Sequence, residues 1–196
     1  MIQYEDERLG FGVRIIAGEK RGTLIRAPKG ADTRPTLERV RESLFGILQY
    51  EIPEATVLDL FAGSGALGLE AVSRGAKFAV INDSAREAYL AIAANVKKLH
   101  FEDRTALYCL DYALAVRRAA AAGMKFNLVF LDPPYGAGLI PKAMAALGEA
   151  DALEKGCVIA AEHRAREAVD PPPGFRLAER RNYGEAALSF FREADG

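Results

Sequence analysis

The chain reads as an α/β protein with a seven-stranded, mostly parallel sheet, a C-terminal antiparallel hairpin and a small N-terminal extension of β-hairpin plus helix. Two observations lead there. From about residue 55, short and nearly continuous apolar runs alternate with longer stretches rich in helix formers, the pattern of a parallel sheet covered by helices on both faces. The alternation then stops, and "GFRLAERRNYGEAALSFFR" (174–192) reads as two strands joined near Tyr183-Gly184, an antiparallel pair. The 196 residues, half of them hydrophobic and 27% charged, suit one domain with ample material for a core.

Taken in order, "FGVRIIAGEKRGTLIRAPKG" (11–30) suggests two short strands around a Gly-Glu-Lys-Arg-Gly turn. In the following "RPTLERVRESLFGIL", Leu37, Val40, Leu44, Ile47 and Leu48 fall on one helical face, with Thr36 as the N-cap. Five parallel strands are expected at "ATVLDLF" (55–61), "KFAVIN" (77–82), "TALYCL" (105–110), "FNLVFL" (126–131) and "GCVIAAEH" (156–163). The intervening "ALGLEAVSRG", "SAREAYLAIAANVKKL", "YALAVRRAAAAG" and "LIPKAMAALGEA" are the covering helices.

The net charge of −1 gives no global sign of a nucleic-acid partner. Locally the balance differs: between Arg14 and Arg41 eight basic residues face only Glu19, Asp32 and Glu38, an asymmetry that points to a polyanionic partner. Arg34, Arg39 and Arg41, around "RPT", are the candidates for phosphate contacts or for closing over a ligand. Cys109 and Cys157 both lie in apolar runs and read as small core residues rather than metal ligands or a disulfide. No apolar run approaches the roughly 18 residues of a membrane span, and "MIQYEDERLG" carries acids where a signal peptide would be basic. A cytoplasmic protein is expected, and nothing in the sequence demands more than a monomer.

"LDLFAGSGALGLEA" (58–71) sets Gly63, Gly65 and Gly68 between a strand and a helix. Glycines there let a ligand approach the backbone while the helix N-terminus offers free N–H groups. Asp83 follows Gly63 by 20 residues at the end of the next strand, where a carboxylate can hold both hydroxyls of a ribose. Asp59 sits before the glycines, inside the strand, and suits a ligand with an amine or cation. Acids at both positions fit S-adenosylmethionine, which carries an ammonium, a sulfonium and a ribose. Phe61 belongs to the same loop and is counted with the donor site. Asp111, ending the third strand, could accept from the adenine amine or simply cap a helix. No metal is expected.

"LVFLDPPYG" (128–136) ends a strand with two prolines that fix φ and remove two donors, so neighbouring carbonyls point in set directions. An exocyclic nucleobase amine is a poor nucleophile because its lone pair is delocalised. Asp132 and the Pro133 carbonyl could accept its two N–H groups and draw it toward tetrahedral geometry. Pro134 stiffens the turn, and Tyr135 would stack on the base. Positioning and aimed dipoles then supply the rate.

"RIIAGEKRG", "RPTLERVRESLFGIL", "VLDLFAGSGALGLEAVSRGA", "FLDPPYG" and "NYGEAALSFFR" together resemble the bacterial 16S rRNA guanine-N2 methyltransferases of the small subunit, over Val13 to Arg192. The resemblance implies a class I (Rossmann-like) methyltransferase fold and S-adenosylmethionine as methyl donor. The product it implies is N2-methylguanosine in 16S rRNA, at the family's target guanine 966, within a small subunit or its assembly intermediate. It assigns donor binding to Gly63, Gly65 and Asp83, and base binding to Asp132, Pro133, Pro134 and Tyr135. Residues 1–50 would be the extension that contacts RNA or donor, and 51–196 the methyltransferase domain. One departure stands out: the family reads V-E-x-D after its second strand and this chain reads "VINDSA", with Asp83 in place of the glutamate and Ala85 in place of the aspartate.

Other classes explain less. An adenine-N6 DNA methyltransferase shares the DPPY chemistry but would need a sequence-recognition domain. An NAD oxidoreductase leaves DPPY and Asp59 without a role, and a non-catalytic assembly factor has no use for Asp132. His163, beside Glu162, reads as a packed residue, and His100 as a helix C-terminal charge.

Overall fold

A computed structural model of the chain describes residues 12–28 and 35–194. A two-stranded antiparallel sheet, β1 (Val13–Arg14) and β2 (Leu24–Ile25), is followed by α1 (Pro35–Ile47). Then come β3 (Thr56–Asp59), α2 (Ala66–Ser73), β4 (Phe78–Asn82), α3 (Arg86–Leu99), β5 (Thr105–Tyr108), α4 (Tyr112–Ala121), β6 (Phe126–Leu131) and α5 (Leu139–Glu149). Three long strands finish the chain: β7 (Leu153–Arg164), β8 (Phe175–Tyr183) and β9 (Ala186–Glu193). The sheet order is β5-β4-β3-β6-β7-β9-β8. β3 to β7 pair in parallel, and β9 runs antiparallel to both β7 and β8.

The inner parallel strands β3, β4 and β6 are buried on both faces, which is why they read as nearly unbroken apolar runs. Val57, Ile81, Leu128, Phe130 and Val158 point to one face, where they meet α1, α2, α3 and Ile15 and Ile25 of the extension. Leu58, Val80, Val129, Leu131 and Ile159 point to the other, against α4 and α5. Helix α1 buries Val40, Leu44, Phe45 and Leu48. Phe45, which the apolar-face reading omits, packs its ring 5.7 Å from that of Phe130. Thr36 lies inside α1 rather than capping it. The helix starts at Pro35, whose missing N–H is one that a first turn leaves unpaired anyway.

Two further readings need correction. Cys157 is buried, but Cys109 is exposed. β5 is the outermost strand and its ladder stops at Tyr108, so Cys109 already lies beyond it. Arg41 is drawn inside the fold, where its guanidinium donates to the Arg14 carbonyl while its Nε stays buried without a partner. It ties α1 to the extension. Arg39 is exposed on the same helix, and Arg34 lies outside the described residues.

The extension is held by buried polar side chains. Glu70 of α2 is fully buried and accepts from Ile16 N (2.7 Å), Ala17 N (2.9 Å) and Arg74 Nε (2.7 Å). Ser73 donates to the Ala17 carbonyl and accepts from Lys20 N. Asn95 of α3 accepts from Arg26 N and donates to the carbonyls of Arg26 and Ser64. Gly18 completes the seat: its φ is +82°, and a Cβ there would stand 1.8 Å from the Ser73 carbonyl oxygen.

Two glycine-to-alanine changes should therefore act in opposite directions. Gly18→Ala meets backbone that cannot move aside and should cost roughly 2–4 kcal/mol. Gly46→Ala, in α1 with open space around it, should stabilise by about 0.5–1 kcal/mol. Urea unfolding of both variants beside the unsubstituted protein checks the pair.

Candidate active site

Parallel strands joined by crossover helices all end at the same sheet edge, and ligands of such sheets bind in the crevice outside those ends. Asp59, Asp83, Asp111, Asp132 and Glu162 all lie at or just past the carboxyl ends of β3, β4, β5, β6 and β7. Parallel register defines their neighbours. Asp59 is level with Phe130 on β6, and Phe130 with Ala160 on β7. Side chains two residues apart share a face, so Asp132 and Glu162 stand on the same face as Asp59.

Asp59 is fully buried. Its Oδ2 accepts from Gly68 N at 2.8 Å, at the first turn of α2, while its Oδ1 is buried with no hydrogen-bond partner among the described residues. Burial pushes its carboxyl up to about 7; the Gly68 hydrogen bond opposes the shift and the charge of Asp83 adds to it. Gly68 lets helix and strand approach: a Cβ there would lie 2.9 Å from the Ile81 side chain and 3.2 Å from the Asp59 Cβ. At Gly63, with φ +56°, an added Cβ would meet nothing, so the loop backbone faces open space. Gly65, with φ +79°, is the residue before α2.

Asp83 accepts from Gly63 N at 2.8 Å and from Ala85 N at 2.9 Å, so its two oxygens span the glycine loop and the start of α3. Ala85 is the N-cap of α3 and contributes no side-chain cap. Asp111 is the N-cap of α4, accepting from Ala113 N at 3.0 Å. Phe61 is half-buried, its ring 5.8 Å from that of Tyr112.

At the end of β6, Pro133 is buried while Asp132, Pro134 and Tyr135 reach solvent. The walls around Asp132 are nevertheless crowded. Desolvation lifts its carboxyl well above the ordinary range, and the charges of Glu162 and Asp59 add to the effect. Tyr135 donates its hydroxyl to Glu162 Oε1 at 3.1 Å, and the Arg164 guanidinium lies 5.6 Å from the tyrosine ring centroid. Desolvation, then the Glu162 charge, keeps the Tyr135 phenol protonated.

The arrangement thus gathers the predicted residues Asp59, Phe61, Gly63, Gly65, Asp83, Asp111 and Asp132–Tyr135 along one edge, while Arg39 lies on α1. His163 is buried and held by the Ser189 hydroxyl at 2.8 Å, consistent with a packed residue. The sequence reading gives no role to three residues. Asn82, fully enclosed, donates to the carbonyls of Leu60 and Leu110 and accepts from Leu110 N, bracing three strand ends. Asn95 reaches Ser64 in the glycine loop. Glu162 flanks Asp132. A polar residue inside an otherwise apolar run is the only sequence signal any of them leaves. Among the described residues, no group of three or more His, Cys, Asp or Glu side chains could hold a metal ion, and no helix is long and apolar enough to cross a membrane.

The family described as Conserved hypothetical protein 95 matches residues 13–192. Ribosomal RNA small subunit methyltransferase D of Escherichia coli strain K12 is 33% identical over 186 residues, covering 94% of this chain and 92% of that protein. The solved structure of yhhF from Escherichia coli superposes with a TM-score of 0.82 at 33% identity, covering 94% of this chain and 100% of its own. A SAM-dependent methyltransferase from Agrobacterium tumefaciens shares the fold, with a TM-score of 0.60 at 16% identity over 82% of this chain and 63% of its own. With sequence motifs, sheet order and relatives in agreement, the chain belongs to the Conserved hypothetical protein 95 family, that of the bacterial small-subunit rRNA methyltransferases.

Proposed function

We propose that the protein transfers a methyl group from S-adenosylmethionine to the exocyclic N2 of a guanine in the 16S rRNA of the small ribosomal subunit. The observation that carries the reading is the meeting, at one sheet edge, of a buried Asp59 carrying an unpartnered oxygen and the Asp132–Tyr135 turn. A buried acceptor without a partner carries a free-energy penalty that a ligand ammonium would relieve. Open space at Gly63 and the acid of Asp83 beside it suit a nucleoside. Asp59, Phe61, Gly63, Gly65 and Asp83 would hold the donor, which supplies a methyl carbon made electrophilic by cationic sulfur.

At the acceptor, the Asp132 carboxylate and the Pro133 carbonyl take the two N–H groups of the amine, and the Tyr135 ring covers the base. The lone pair so released from the ring forms the N–C bond as the C–S bond breaks, its electrons staying on sulfur. The proton shed by nitrogen leaves to Asp132 or to water. The base must be unpaired or extruded to reach this edge. Residues 1–50, with exposed Arg39, would serve as the RNA-facing extension on a catalytic body of 51–196, acting in the cytoplasm on a subunit or its precursor.

Incubation with methyl-labelled S-adenosylmethionine and unmodified small subunits should place label in N2-methylguanosine of 16S rRNA. Asp132→Ala should lower kcat by roughly 10²–10³-fold while S-adenosylhomocysteine binding stays within a few-fold. Label in DNA adenine instead, or full activity in the variant, would refute the reading.

Asp59 makes a second test. Burial pushes its carboxyl up to about 7 in the folded state from an ordinary 3.8, so across that window the folded state keeps a proton that the unfolded chain has released. Its contribution to stability therefore falls as pH rises from about 4 to 7 and stays lost above. Asp59→Asn should stabilise donor-free protein at pH 8 by roughly 1–3 kcal/mol, show little difference near pH 4, and weaken S-adenosylhomocysteine binding at least tenfold. Thermal melts at both pH values and titration calorimetry read the three effects.

A further inference from the structure

Glu162 has no role in the account so far, and its placement is unusual. Leu131 of β6 is level with Ala161 of β7, so the next residues, Asp132 and Glu162, stand side by side at the sheet edge. The Tyr135 hydroxyl donates to Glu162 Oε1, while Oε2 makes no hydrogen bond among the described residues. The residue is only half-exposed, and desolvation raises its carboxyl above the ordinary range, against the Tyr135 hydrogen bond. It also borders an open recess together with Pro134, Tyr135 and Leu139. An acid used only to hold the tyrosine hydroxyl would need one oxygen, and a glutamine would serve without placing a second charge beside Asp132.

Nucleobase edges differ in what they ask of such a pair. Guanine offers its N1–H next to the 2-amine, an uninterrupted row of donors. Adenine offers an N1 lone pair next to its 6-amine, and 2-aminopurine an N1 lone pair next to its 2-amine. Two adjacent carboxylates accept and never donate when ionised, so they match guanine and leave an acceptor facing an acceptor with either alternative. A site built to accept a substrate N–H rejects the analogue that lacks it, because its own buried acceptor is then unpaired.

We propose that Glu162 is the specificity-determining residue of the base pocket: held by the Tyr135 hydroxyl through Oε1, it presents Oε2 to the N1–H of the target guanine while Asp132 and the Pro133 carbonyl engage the 2-amine. Tyr135 then stacks on the base and fixes the carboxylate that reads it. The proposal rests on the guanine-N2 reading given above.

The test uses small-subunit particles carrying either guanine or 2-aminopurine at the target position. The analogue keeps the amine to be methylated and loses N1–H. Wild type should prefer guanine in kcat/KM, and Glu162→Gln should shrink that preference by roughly tenfold or more, since a carboxamide can turn an N–H toward the N1 lone pair. Comparing the two ratios cancels the intrinsic reactivity of the two amines. Tyr135→Phe, which keeps the ring and removes the hydroxyl, should lower the preference partially. S-adenosylhomocysteine binding within threefold of wild type shows that both variants are folded. An unchanged ratio, or an equal loss on both acceptors in both variants, would overturn the role of Glu162 while leaving guanine-N2 transfer intact. A wild-type protein that labels neither acceptor would instead overturn the underlying reading, and this proposal with it.

Discussion

Glu70 is a carboxylate that solvent never reaches, and the geometry of the N-terminal half follows from its need for donors. A buried acid is tolerable only when hydrogen bonds replace its hydration, and here two come from the backbone of the extension and one from Arg74 in the next helical turn. Because two of the donors are backbone N–H groups, the carboxylate dictates where residues 16 and 17 lie rather than merely holding a side chain. Arg74 extends the constraint, stacking over the Phe45 ring at 4.8 Å and so linking α2 to α1. Arg41 adds its own bond to the Arg14 carbonyl. The extension thus sits against the same sheet face that presents Asp59, Asp132 and Glu162.

Those three acids oppose the logic of Glu70. Asp59 keeps an oxygen without a donor, burial raises the proton affinity of Asp132 and Glu162, and the Glu162 charge raises that of Asp132 further. A sheet edge assembled for stability alone would not hold three carboxylates whose hydration is reduced and whose charges repel. The strain is local and lies where ligands of parallel sheets bind, and the rest of the fold offsets it through two large apolar cores.

The sequence makes the sheet legible because the inner parallel strands are buried on both sides and need no alternation to be seen; β6 is recovered residue for residue. The glycine loop and DPPY are legible because their chemistry is local, written in consecutive residues. What escapes is whatever depends on distant chain segments. Cys109 and Tyr108 look alike in an apolar run, and only the end of the edge-strand ladder separates them. Arg41 looks like a surface charge until the Arg14 carbonyl arrives from 27 residues away. Glu70 and Asn95 bond groups more than 50 residues distant, and Glu162 becomes a neighbour of Asp132 only once the β6–β7 register is known. Site residues contributed by one strand end are readable; their partners on the next strand are not.

Asn95 carries one last implication. A single carboxamide bonds both Arg26 in the extension and Ser64 in the glycine loop. Opening either segment costs Asn95 hydrogen bonds that also brace the other, so the opening of the loop and that of the extension are energetically coupled although some forty residues of chain lie between them. Anything that steadies the extension from outside also slows the breathing of the backbone around Gly63 and Gly65.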